Sequence, residues 1–192
     1  MRTHRRRAAG GRGGFTIVEL MFVLLILAVL LALAVPSLRE FQRSSDLRDA
    51  TNSLVAAINA ARTEAMRQGT PTLVTPLAGN DWAKGWRVFV DKDVSGTLGA
   101  GDAIVLERAL RADADLVFTG SGTAGGSNDK YLRFDGSGYS RTNQGAFSAA
   151  TIAIQRGDLA GAAGARYVKV ATTGRTRSCM PSGDSDCGSL ED

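Results

Sequence analysis

Histidine is nearly absent from this chain: among 192 residues there is only His4, ahead of every stretch with folded character. From residue 5 onward no imidazole is available as general base, nucleophile partner or metal ligand. Cysteine is confined to Cys179 and Cys187, whose spacing does not match a Cys-x2-Cys metal knuckle. A glycine-rich loop ending in Gly-Lys, which would cradle phosphates, is also missing. The chain therefore reads as a non-enzyme with no resident cofactor. An enzyme's substrate-binding domain on a membrane anchor is the remote alternative.

Acidic side chains are missing from two informative places. Between Phe15 and Val35 the only charge is Glu19, and the only other polar side chain is Thr16. As a helix these residues span roughly 31 Å, close to the hydrocarbon thickness of a bilayer. A carboxylate near one end of such a span is costly in lipid and marks a function. The second gap lies between Asp158 and Asp184, where Arg166, Lys169, Arg175 and Arg177 all fall.

The formal charge of +4 and pI near 9.4 are set by the leader. Arg2, Arg5, Arg6, Arg7 and Arg12 precede Gly14; without them, the basic residues fall one short of the 19 acidic ones. Any anion site in the remainder must be local. The arginine cluster predicts a cytoplasmic N-terminus and an external C-terminal domain. The small residues Gly13-Gly14 come before the apolar run, the reverse of a secretory signal, so cleavage there would keep the hydrophobic helix. An uncleaved anchor of the same orientation is the alternative.

The stretch Gly14-Phe15-Thr16-Ile17-Val18-Glu19-Leu20-Met21 resembles the class III signal of type IV prepilins and type II secretion pseudopilins. The resemblance implies that prepilin peptidase cuts between Gly14 and Phe15 and that Phe15 becomes N-methylated. It also implies that Glu19 meets the Phe15 amine of a neighbouring subunit during assembly, where two poorly solvated charges satisfy each other. Expected partners are the peptidase, inner-membrane lipid and other pilins or pseudopilins.

Pro36 should bend or loosen the helix. Beyond it, Leu38, Phe41, Leu54, Ile58, Ala61 and Ala65 recur mostly at helical spacing, predicting an amphipathic continuation to about Arg67, ended by Gly69 and Pro71. Ala61-Arg62-Thr63-Glu64-Ala65-Met66-Arg67-Gln68-Gly69 resembles a stretch of GspH/FimT-type minor pilins. Seven strand candidates follow: 72–75, 85–90, 103–110, 116–119, 131–135, 147–155 and 165–171. Gly120–Asn128 reads as a loop. Trp82 and Trp86 are expected to pack in the core, with carbohydrate stacking the alternative. The expected architecture is α+β, a type IV pilin fold with one long N-terminal helix on antiparallel sheet. Its segments are a leader (1–14), a membrane and polymerisation helix (15–35), its amphipathic continuation (36–69) and a periplasmic β-rich domain (70–192).

Two further constellations stand out. Asp91, Asp93, Ser95 and Asp102 have the oxygen spacing of a calcium loop, although no flanking helices are predicted and a polar hairpin explains the pattern equally well. Near the C-terminus, Val168 and Val170 alternate with Tyr167 and Lys169, giving one apolar and one basic, aromatic strand face. Gly174-Arg175-Thr176-Arg177 is expected to lift two guanidinium groups onto a turn. A Cys179–Cys187 disulfide would hold that turn; two free thiols are the alternative. On composition alone these cations form a solvated face. A Gly-Arg-x-Arg motif also resembles FimT-like minor pilins linked to DNA uptake, which implies weak, sequence-independent DNA binding through Arg175, Arg177, Lys169 and Arg166. The related ending of GspH-type pseudopilins keeps open a role in protein export without DNA.

Overall fold

A computed structural model describes residues 14–111, 113–126, 129–159 and 164–188, apart from the side chains of Pro36 and Asp186. The leader arginines lie outside the described residues. The first element, α1 (Ile17–Gln68), starts where the Thr16 hydroxyl accepts the Glu19 amide at 3.2 Å, a side-chain cap on an otherwise unmet donor. It stops at Gly69, whose φ of +64° is the left-handed conformation that closes helices.

The chain divides into two compact units, one ending at Phe41 and the other beginning at Gln42. In the first, every residue from Gly14 to Val35 is exposed, and one helix is long and apolar enough to cross a membrane. Leu38 and Phe41 are exposed too, so the buried stripe does not begin with them as their spacing suggested. It begins in the second unit at Leu47 and continues through Ala50, Leu54, Ile58, Ala61 and Ala65, steps of three and four that keep one face inward. Thr51 breaks the apolar pattern yet is buried, because its hydroxyl donates to the Leu47 carbonyl at 2.7 Å.

Among the described residues, nine strands follow α1. They are β1 (Thr72–Ala78), β2 (Asp81–Val90), β3 (Ala103–Ala109), β4 (Leu116–Gly122), β5 (Leu132–Phe134), β6 (Ser140–Arg141), β7 (Ala150–Arg156), β8 (Ala165–Val170) and β9 (Thr176–Cys179). They form two antiparallel sheets, ordered β3-β2-β1-β5-β6 and β4-β7-β8-β9. The helical stripe shares one core with Val74, Trp86, Val88, Leu132 and Phe134 of the first sheet and Ile152, Ile154, Val168 and Val170 of the second. Burying such side chains contributes about 1.5–3 kcal/mol each before chain entropy is counted. Trp82 and Trp86 are both in this core. The Trp82 indole donates to the Ala124 carbonyl at 3.0 Å, so Gly120–Ala124 is not the loose loop its glycines suggested: it completes β4 and turns inward at a buried alanine.

One ionic cluster ties α1 to the second sheet. Arg156, 4% exposed, donates two hydrogen bonds to Asp158 at 2.7 and 2.9 Å and a third to the Ser44 hydroxyl at 3.2 Å, and Arg43 reaches Asp158 at 2.7 Å. The Arg156 hydrogen bond, opposed by partial desolvation and reinforced by Arg43, lowers the Asp158 pKa from 3.8 to about 2. A depressed carboxyl stabilises the fold above its unfolded pKa, and that stability is lost as pH falls through the folded one. The melting temperature should therefore drop between pH 4 and 2. Asp158→Asn should melt lower at pH 5 and show a flatter acid limb, which thermal melts across that range will read.

Candidate functional site

The four cations expected near the C-terminus separate once β8 and β9 are placed. Val168 and Val170 face the core, which puts Arg166 on their side of β8, while Tyr167 and Lys169 take the opposite face. Thr151, Lys169 and Arg177 stand in one row across β7, β8 and β9. Arg177 is a strand residue opposite Lys169, not a turn residue as its sequence context suggested; of the two arginines only Arg175 precedes the strand. Lys169 and Arg177 thus place two cationic side chains directly opposite each other on neighbouring strands.

A cavity of about 460 Å³ opens at this end of the second sheet, within the range of ligand sites (roughly 300–1,000 Å³). Lys169, Arg175, Arg177 and Thr151 line it together with Ala149 and Val170, and none of the described lining residues is acidic. Lys169 is only 8% exposed. Arg166 does not contribute.

The β8–β9 connection that carries Arg175 is anchored from three sides. Within it, the Gly174 amide donates to Ala171 at 2.8 Å and the Ala171 amide donates to Arg175 at 2.9 Å. From α1, Arg62 donates to the Thr173 carbonyl at 3.3 Å and to the Gly138 carbonyl at 3.0 Å. From β6, the Ser140 amide donates to Thr172 at 3.0 Å. Gly174 has φ +75°, and a Cβ there would stand 2.0 Å from the Gly138 oxygen. The glycine of the Gly-Arg-x-Arg stretch is therefore a packing requirement, which leaves the guanidinium groups as the chemical part. Arg62 is the residue that sequence reasoning missed, since it reads as one of several charges along a helix. Beyond the arginines, Cys179 and Cys187 form a disulfide with Cα atoms 5.6 Å apart, joining the end of β9 to a short 3-10 turn (Ser185–Cys187).

The calcium-like loop converges in part. One carboxylate oxygen from each of Asp91, Asp93 and Asp102 lies within 4.8 Å of the others. Backbone amides already supply these oxygens: Ser95 and Gly96 donate to Asp91, Ser95 to Asp93, and Lys92 and Gly99 to Asp102, all at 2.7–3.1 Å. The Ser95 hydroxyl donates to the Thr97 carbonyl. Burial raises the Asp91 carboxyl above its ordinary pKa, while hydrogen bonds from Ser95 lower Asp93. These contacts fit a polar hairpin connection, and each carboxylate keeps further lone pairs beyond them.

At the other end of the chain, Gly14 and Phe15 precede α1 and are exposed, and Glu19 lies in its first turn, a favourable place for a carboxylate at the positive end of the helix dipole.

Comparison with known proteins bears on the family and on the N-terminal motif. The family model described as type II transport protein GspH matches residues 50–174. The model of the prokaryotic N-terminal methylation motif matches residues 10–35. No curated protein matches the chain. Two crystal forms of the Pseudomonas aeruginosa type IV minor pilin FimU share its fold. The P21 form superposes with TM-score 0.54 at 24% identity, over 75% of this chain and 95% of FimU. The P65 form gives TM-score 0.51 at 23% identity, over 71% and 94%.

Proposed function

From a chain that belongs to the GspH family of pilin-like type II transport proteins, we propose a minor pilin that is cut between Gly14 and Phe15, methylated at Phe15 and assembled into a filament that binds DNA. Residues 15–35 hold the processed chain in the inner membrane with the remainder in the periplasm, and other pilins then replace lipid around that helix. The observation that carries the assembly role is the run of exposed apolar side chains from Phe15 to Val35, interrupted by the single carboxylate of Glu19. Mass spectrometry of the protein from its native membrane tests the processing. A chain beginning at methylated Phe15 supports it, and an intact Met1 terminus overturns it.

The DNA reading rests on the cavity: Arg175, Arg177 and Lys169 converge on its lining, and guanidinium forks match phosphate oxygens. Such contacts give weak, sequence-independent affinity that falls steeply with salt. In detergent, the full chain carrying Arg175→Ala and Arg177→Ala should bind duplex DNA more weakly across all sequences. Its slope of log affinity against log salt should be about 2 smaller than that of the parent. Unchanged affinity at low salt would remove the DNA role. The second reading, a secretion pseudopilus subunit without DNA binding, is favoured by the family model's own description, and that outcome would select it.

A further inference from the structure

Two exposed aromatic rings are tied through the backbone to segments that line the cationic cavity. Tyr139 is 41% exposed and Phe147 58%, and their rings meet edge to face at 5.6 Å. Phe147 lies two residues before Ala149, which lines the cavity, and its neighbour Ser148 donates its amide to Ser140 at 3.1 Å. Ser140 in turn donates to Thr172, another lining residue. Rings and cavity thus share one short backbone ladder. The Arg141 guanidinium covers one side of Phe147 at 3.7 Å from the ring centroid and is itself held by Asp135 at 2.7 Å and by the Gly145 carbonyl at 3.2 Å. Burial would raise the Asp135 carboxyl, but hydrogen bonds from Arg141 and from the Tyr139 and Ser137 amides outweigh it and keep the group ionised and paired. Phe147 is therefore backed by a neutralised ion pair and presents its other side to solvent.

We propose that Phe147, supported by Tyr139 and Arg141, is a stacking platform for an unpaired base, so that this surface takes single-stranded nucleic acid with its phosphates in the cavity of Lys169, Arg175 and Arg177. The proposal rests on the DNA reading above and narrows its ligand. A duplex keeps its bases stacked on one another and offers the cavity only phosphates. A single strand can place a base on an aromatic ring while its backbone follows the cations, a combination tolerant of sequence. Phe147 stands outside the buried core, and an exposed aromatic ring joined by the backbone to the segment that lines a cationic cavity suits such recognition.

The test uses the processed full chain in detergent and fluorescence anisotropy with a labelled oligothymidine and a duplex of equal length at one salt concentration. Wild type should prefer the single strand. Phe147→Leu, which keeps apolar bulk but loses the ring, should weaken single-strand binding about tenfold, leave duplex binding within a factor of about two, and melt with wild type. Phe147→Trp should restore the preference, while Arg175→Ala with Arg177→Ala should weaken both ligands. Equal loss on both ligands, or no loss on either, in Phe147→Leu overturns the platform while leaving the DNA reading intact. If wild type binds neither ligand, both fall together.

Discussion

Replacing Glu19 with alanine should leave the chain inserted and cleaved but take it almost entirely out of filaments. The apolar run from Leu20 to Val35 is unchanged by the substitution, so partition into the bilayer is unaffected or improved. What is lost is the one carboxylate in a surface otherwise made of Leu, Val, Ile, Ala, Met and Phe. In a filament that group is expected to neutralise the amine of a neighbouring Phe15, and removing one partner leaves the other charge in a poorly solvated place, at a cost of about 3–5 kcal/mol. By mass action that is a factor of a few hundred or more in incorporation. Glu19 also has a local role, because Thr16-Ile17-Val18-Glu19 has the capping-box pattern and the Glu19 amide does donate to Thr16. Glu19→Gln separates the two roles: glutamine serves the capping box but carries no charge. If the charge matters, the glutamine variant is excluded from filaments as the alanine variant is. Normal levels of either variant in sheared filaments would refute the charge pairing, and restored levels in the glutamine variant alone would reassign Glu19 to helix capping.

Much of the frame is legible in the sequence because it depends on periodicity. Leu54, Ile58, Ala61 and Ala65 repeat at steps that only a helix brings to one face, and Gly69 with Pro71 ends the pattern as left-handed and proline caps do. The alternation of Tyr167, Val168, Lys169 and Val170 likewise gives the correct strand faces. Where the reading goes wrong, the information is non-local. Leu38 and Phe41 continue the helical spacing but lie before the unit that supplies a core. Strand β6 is two residues long, too short to show alternation, and β9 is read as a turn because Gly174 and two arginines resemble one. The cavity joins residues 149–151, 169–172, 175 and 177, which no single motif contains. Arg62 and the Tyr139–Phe147 pair belong to the same class: each is ordinary in sequence, and its role comes from what the fold sets beside it.

Gly174→Ala should be the most damaging single change in the C-terminal half, although it adds one methyl group and removes no hydrogen bond. The backbone at φ +75° is strained for any residue with a Cβ, at a cost of about 1–3 kcal/mol. The added atom would also stand 2.0 Å from the Gly138 oxygen, a backbone atom that Arg62 holds in place. The turn must therefore move, and moving it breaks the Arg62–Thr173 and Ser140–Thr172 contacts. A melting temperature lower by roughly 5–15 °C is expected, at about 2–4 °C per kcal/mol for a domain of this size. Arg177→Ala, which alters the charge but not the turn, should stay within about 2 °C of wild type, as surface substitutions usually do. Gly138→Ala should be damaging for the same reason from the other side, because φ is +78° there and a Cβ would approach the Met66 sulfur at 2.7 Å. The two glycines meet at one contact, so the double variant should lose less stability than the two single losses added together. Full additivity would show that the two turns relax independently. In that case Arg62 does not clamp the arginine-bearing turn, and the position of Arg175 owes nothing to α1.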